Sequence, residues 1–111
     1  MEIKDLRGPG GREIAAYGSR GLTAEALVRS EGVALTVLRV VAGGEIGRHP
    51  TDVDQFLLVV FGRGSVQSGD GPWEPVEAGQ LVIWRAGEVH TTRADENLTA
   101  YVLEAPDIGV I

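Results

Sequence analysis

Short apolar segments, most of them followed by glycine-containing or polar turns, recur along the chain and restrict what it can fold into. Residues 33–41 (VALTVLRVV) and 54–62 (DQFLLVVFG) are rich in Val, Leu and Phe, which favour strands. Residues 89–94 and 98–105 indicate two more strands, separated by the turn sequence DEN. Only residues 23–29 (TAEALVR) suggest a helix, of about two turns. Roughly eight or more closely spaced strands predict an all-β barrel or jelly-roll sandwich, which protects its sheet edges.

Glycine-rich stretches shape the predicted strand pattern. Residues 42–47 (AGGEIG) are expected to end the first long strand, so that residues 48–51 (RHPT) form a short strand or a strand end. The apolar run that begins at Asp54 is predicted to be buried and to continue through residues 63–68, up to the strong turn signal GDGP. Residues 1–12 are polar and glycine-rich, which indicates an N-terminal arm or an edge strand outside the core.

The composition indicates one domain, residues 1–111, and argues against several classes of function. A net charge of −6 without a basic cluster makes nucleic-acid binding unfavourable, because phosphates need a positive surface. The absence of cysteine excludes disulfides and thiolate chemistry. The N-terminus lacks the apolar region of a signal peptide, and no apolar run approaches the roughly 18 residues of a membrane span. A cytoplasmic protein without membrane contact is therefore expected.

The chain has two histidines, His49 and His90, and they fall on separate predicted strands, each near a glycine turn. In a closed barrel, side chains from separate strands can meet in one cavity. No nucleophile with a neighbouring base is visible, and no glycine-rich phosphate loop precedes a helix. The candidate chemistry therefore centres on the two imidazoles, and no catalytic residue is assigned.

The spacing around these histidines resembles that of the cupin family, whose two motifs are G-x5-H-x-H-x3-E-x6-G and G-x5-P-x-G-x2-H-x3-N. Both spacings fit residues 43–94, about half of the chain. Six of the ten motif positions carry the family residue, namely Gly43, His49, Gly62, Gly79, Gly87 and His90. The resemblance implies a small single-domain bacterial cupin, with the β-barrel also called a double-stranded β-helix or jelly roll and with a degenerate first motif.

Four motif positions depart from the family, namely Thr51 for histidine, Gln55 for glutamate, Arg85 for proline and Ala94 for asparagine. In the family, the three histidines and the glutamate bind one divalent metal. The resemblance therefore implies a metal site of His49, Gln55 and His90, for a transition metal such as Zn, Ni, Fe or Mn. Because Gln55 offers only a neutral amide oxygen, this site is expected to be weak, completed by water, or absent. The alternative is a hydrogen-bonded histidine pair that Gln55 bridges without metal.

Five further residues are predicted to line the pocket, namely Thr51, Leu57, Val59, Trp84 and Arg85. Leu57 and Val59 share the strand parity of Gln55 and should face the same side. Arg85 could clamp a carboxylate or phosphate at the pocket mouth, or lie on the surface near Glu88. Trp84 and Arg85 are neighbours on a strand and should face opposite sides, and the sequence leaves open which of them faces the cavity.

The sequence favours a small-molecule binding protein whose pocket is built around His49, Gln55 and His90. The alternative is a metal-dependent enzyme of dioxygenase or isomerase type acting on a small organic substrate, since open metal positions would admit substrate or O₂. A third hypothesis is an interaction module in which the barrel is a scaffold. The family resemblance also implies a homodimer formed through sheet edges.

Overall fold

Strands dominate the computed structural model, which describes residues 1–8 and 10–111. In chain order the elements are β1 (Arg12–Ile14), a 3₁₀ turn (Ala16–Gly18), β2 (Arg20–Ser30), β3 (Val33–Pro50), β4 (Asp54–Phe61), β5 (Arg63–Ser68), β6 (Trp73–Glu77), β7 (Leu81–Trp84), β8 (Val89–Ala94) and β9 (Leu98–Ala105). The all-β prediction is confirmed, and the predicted bounds of β8 and β9 match the structure. Within the described part of the chain, no helix has the length and apolar character needed to cross a membrane.

All strand pairs are antiparallel and form one curled sheet with the order β6-β5-β8-β3-β9-β4-β7. Strand β2 pairs with β3, and β1 pairs with β2. The first part of β3, residues 34–40, pairs with β9, whereas its second part, residues 45–50, pairs with β8. The long strand β3 therefore joins the two parts of the sheet.

The observed strand bounds differ from the predicted ones at two glycines. The predicted end of the strand at residues 42–47 is wrong, because β3 runs on to Pro50. Gly43 adopts a φ of +81°, which lets the backbone change direction inside the strand without ending it. Conversely, the predicted continuous run through residues 63–68 is wrong at Gly62, which separates β4 from β5 with a φ of +80°. The segment TAEALVR lies within β2 and is strand, not helix.

The apolar side chains of β4 are buried on one face of the strand and exposed on the other. Gln55, Leu57 and Val59 face inward and are buried, as their shared parity predicts. The alternate positions Leu58 and Val60 are 37% and 41% exposed. The prediction of a fully buried strand is therefore wrong for the outer face, because this antiparallel sheet packs its core on one side only.

The core lies on the inner face of the curled sheet and contains mostly aliphatic side chains. Its largest fully buried members include Leu98, Val40 and Val59. On β9 the buried positions alternate strictly, with Leu98, Ala100 and Val102 inside. The same alternation makes Glu104 the last inward-facing residue of β9. Its side chain lies near the two histidines.

Candidate functional site

A cavity of about 250 Å³ lies on the inner face of the sheet, between β2, β3, β4, β8, β9 and the 3₁₀ turn. Much of its wall is aliphatic, including Leu22, Leu38, Leu57 and Val102. The polar and aromatic side chains that line it are Tyr17, Ser19, Thr36, His49, Gln55, His90, Thr92 and Glu104. The structure thus brings four of the sequence-predicted site residues, His49, Gln55, Leu57 and His90, around one cavity.

A bulge in β3 aims His49 into this cavity. Ile46 pairs with Thr92, and His49 pairs with His90, so three steps along β3 oppose two steps along β8. The extra residue reverses the usual alternation, and Ile46 and His49 both line the cavity although their parity differs. The two imidazole rings consequently face each other, with centroids 4.4 Å apart and planes inclined at 60°.

Backbone carbonyl groups fix the orientation of both imidazoles. His49 Nδ1 lies 2.7 Å from the carbonyl oxygen of Gly47, and His90 Nδ1 lies 3.3 Å from that of Glu88. A carbonyl oxygen only accepts, so each Nδ1 carries the hydrogen in these bonds. In the neutral ring the unprotonated atom is then Nε2, which is left as an acceptor or a metal ligand.

His90 occupies the most restricted position of the pair. It is buried, and the indole of Trp84 stacks on it with centroids 4.4 Å apart and an interplanar angle of 10°. Burial, followed by the nearby His49, lowers the pKa of His90 to about 4, so the ring is neutral at physiological pH. Trp84 Nε1 is buried and has no hydrogen-bond partner within residues 1–8 and 10–111.

Glu104 is a cavity residue that the sequence analysis missed. It lies directly across from Gln55 in the β4–β9 ladder, and Gln55 Nε2 donates a hydrogen bond of 2.7 Å to Glu104 Oε1. Since a carboxylate only accepts, this bond leaves the Gln55 Oε1 as the free end of the amide. Strand parity could have found Glu104, because it continues the inward series Leu98, Ala100 and Val102.

Tyr17 is a second missed residue, and it lies at the cavity rim. Its ring stacks on His49 with centroids 5.2 Å apart, and the residue adopts a left-handed φ of 58° in the 3₁₀ turn. The turn rests directly on Gly47, where a Cβ atom would collide with the carbonyl oxygen of Tyr17. Gly47 N also donates to Ser19 Oγ at 2.9 Å. No local sequence signal predicts this contact between segments about 30 residues apart in the chain.

Four predicted pocket residues, Thr51, Val59, Trp84 and Arg85, lie outside the cavity wall. Val59 is fully buried in the core, and Trp84 packs behind His90 without reaching the cavity. Thr51 exchanges backbone hydrogen bonds with the turn before β8 and donates its hydroxyl to the Val53 carbonyl. Of the two alternatives for Arg85, a ligand clamp or a surface position near Glu88, the structure has the second, since Arg85 is exposed and its backbone amide donates to Glu88 at 2.9 Å.

Arg85 is engaged on the outer side of the sheet. Its guanidinium donates to Asp54 Oδ2 at 3.0 Å and to the carbonyl oxygen of Ile108 at 2.7 Å. Asp54 also accepts from the backbone amides of Ala86 and Ile108. The bond from the Ala86 amide is the largest contribution that lowers the pKa of Asp54. This cluster ties the segment after β9 to the turn that precedes β8.

The donor set falls short of a complete metal site. His49 and His90 supply two nitrogen atoms, and Gln55 adds only a neutral amide oxygen. Within the described residues, no group of three or more His, Cys, Asp or Glu side chains is placed to hold a metal ion. Since catalytic zinc sites generally use three strong protein ligands, the residues present do not fit a tightly held divalent metal.

Comparison with known proteins identifies the architecture. A family model described as a cupin domain matches residues 36–106 of the chain. No curated protein matches the chain significantly.

Solved structures that resemble the chain share its fold at low sequence identity. A predicted oxalate decarboxylase from Thermotoga maritima has a TM-score of 0.80 at 17% identity, covering 95% of this chain and 99% of its own. A Cupin 2 conserved barrel domain protein from Salinispora arenicola has a TM-score of 0.76 at 24% identity, covering 93% and 87%. An RmlC-like cupin from Desulfovibrio desulfuricans has a TM-score of 0.75 at 20% identity, covering 97% and 99%. At these identities the likeness extends to the fold alone.

Proposed function

The chain belongs to the cupin family, and from its cavity we propose that it is a small-molecule binding protein. The observation that carries this proposal is a cavity of about 250 Å³ that combines aliphatic walls with a few convergent polar groups. His49, Gln55 and His90 provide the polar end, and Leu57 belongs to the aliphatic wall. The proposed ligand contacts these side chains directly, and a metal ion is held weakly or not at all.

A fragment screen by ligand-observed NMR tests this proposal. The chain should bind small organic fragments, and Ala24→Leu should weaken that binding because Ala24 lines the cavity and leucine would occupy part of it. The matched control is Ala78→Leu, which adds the same volume at an exposed turn residue outside this cavity. Equal loss of fragment binding in both variants would contradict a ligand site in this cavity. Fragment binding that neither substitution changes would contradict it as well.

A metal-dependent enzyme is the second candidate, and one observation favours it. Both histidines engage Nδ1 with a carbonyl group, the arrangement in which Nε2 is free to bind a metal. Elemental analysis of the purified chain separates the two candidates. The binding proposal expects no stoichiometric metal. Stoichiometric metal that is lost in His49→Ala and in His90→Ala would instead support the enzyme.

The homodimer remains a prediction that the outer face of β4 supports. Leu58 and Phe61 are exposed there, and Leu81 on the neighbouring strand β7 is 44% exposed beside Leu58. Exposed apolar side chains near a sheet edge favour association. Light scattering coupled to size exclusion should give twice the chain mass of 11.8 kDa. A monomer at high concentration would refute the dimer.

A further inference from the structure

The polar groups that face the cavity are mainly acceptors of hydrogen bonds. The Nδ1 atoms of His49 and His90 already donate to carbonyl groups, so each neutral ring presents an unprotonated Nε2. The amide nitrogen of Gln55 donates to Glu104, so the amide presents its oxygen. The hydroxyls of the four other polar lining residues, Tyr17, Ser19, Thr36 and Thr92, can either donate or accept and adapt to the ligand. A ligand that brings hydrogen-bond donors therefore fits this set best.

The charge in the cavity is negative. Glu104 is the charged side chain among the described residues that line it, and they include no lysine or arginine. The nearby Arg85 is bound to Asp54 on the other side of the sheet, and Arg39 is bound to Glu25. An anionic ligand would meet Glu104 without a compensating cation, whereas a cationic ligand would gain a charge-assisted hydrogen bond.

The size and surface of the cavity limit the body of the ligand. A cavity of about 150 Å³ lined by apolar side chains holds benzene, so about 250 Å³ accommodates roughly ten non-hydrogen atoms. Leu38, Leu57 and Val102 offer aliphatic surface for an apolar body. At the rim, Tyr17, whose ring stacks on His49, adds aromatic surface to the lining.

We propose that the ligand is a small organic amine, bound as its ammonium form with a compact apolar body. This proposal rests on the proposed binding function of the same cavity. The ammonium group donates to Glu104 and to the acceptor atoms of Gln55 and His90. The apolar body packs on the wall that includes Leu57 and Val102. The predominance of acceptors and the uncompensated carboxylate select an amine over an alcohol, and an alcohol over a carboxylate.

Three probes of similar shape test the ligand class without any substitution: phenethylamine, 2-phenylethanol and phenylacetate. Their dissociation constants are measured by calorimetry or by NMR titration of the intact chain near neutral pH. The dissociation constant of the amine should be at least about ten-fold lower than that of the alcohol, as expected for a hydrogen bond to a charged group. Phenylacetate should bind most weakly of the three.

Glu104→Gln tests the residue, with Glu96→Gln as the matched control because Glu96 is an exposed surface carboxylate outside the cavity. The first variant should remove the preference for the amine over the alcohol, and the control should retain it. If Glu104→Gln does not fold, the order of the three probes on the unaltered chain still decides. An alcohol or carboxylate that binds as well as the amine, or an amine that does not bind, overturns the ligand class. Fragment binding that Ala24→Leu weakens would still uphold the cavity as a binding site in that case.

Discussion

Lowering the pH should destabilise the fold through His90. Its pKa in the folded chain is about 4, below the ordinary value of 6.5, chiefly because the ring is buried and then because His49 lies beside it. Unfolding exposes the ring and lets it take up a proton, so acid favours the unfolded state. The stability is therefore fully present above the ordinary pKa and is lost as the pH falls toward the folded value.

The size of this effect follows from the two pKa values. The linkage relation gives a loss of about 2 kcal/mol in the free energy of unfolding between pH 7 and pH 5. Asp54, whose pKa is lowered from 3.8 by its hydrogen bonds, contributes to acid destabilisation only at lower pH. Measurements between pH 7 and pH 5 therefore isolate the histidine contribution from that of Asp54.

Urea unfolding at several pH values in this range measures the loss, and His90→Gln provides the comparison because glutamine does not titrate. The unaltered chain should lose about 2 kcal/mol more than this variant over the same range. NMR titration of the His90 ring measures the pKa directly, and His49→Gln should raise it by removing the neighbouring charge. Equal pH dependence of the unaltered chain and His90→Gln, or a His90 titration near 6.5, would refute the reasoning.

Other substitutions test the rim, the cavity wall and the outer cluster. Gly47→Ala should lower the melting temperature and detach the turn that carries Tyr17, because the added Cβ meets backbone atoms of that turn. The control Gly109→Ala, whose Cβ meets no other atom, should leave the melting temperature unchanged. Leu57→Ala should reduce the free energy of unfolding by about 2–5 kcal/mol in urea titration, because the side chain is 2% exposed. Asp54→Asn should speed hydrogen exchange of the two backbone amides that donate to this carboxylate, while a distant strand such as β6 keeps its exchange rate.

Strand identity was largely predictable, since alternation and β-branched residues act locally. The bounds of β8 and β9 follow directly from such patterns. The prediction was wrong at Gly43 and Gly62, where a positive φ permits either a bend within a strand or its interruption. Pairing with neighbouring strands decides between these outcomes, and a single sequence does not contain that information.

The site was predictable only in part, for a related reason. The motif spacing singled out His49, Gln55 and His90, and the structure brings these three residues around one cavity. Parity on β9 could have added Glu104, but only once the inward face of that strand was identified from Leu98. Tyr17 depends on the docking of a turn against a distant glycine, a contact set by tertiary packing. Arg85 lies away from the cavity because it alternates with Trp84, whose side chain is the buried one.

The bulge in β3 makes strand pairing, and not only side-chain chemistry, part of the binding site. Three steps along β3 from Ile46 to His49 are matched by two steps on β8, so the imidazole faces inward only because the bulge takes up the odd step. Deleting one of the two intervening residues, for example Arg48, would leave the histidine two positions after Ile46, where simple alternation alone keeps it facing the cavity. A relative of the same length that pairs this strand without the bulge can carry the histidine in the same alignment column and still present it to the opposite face of the sheet.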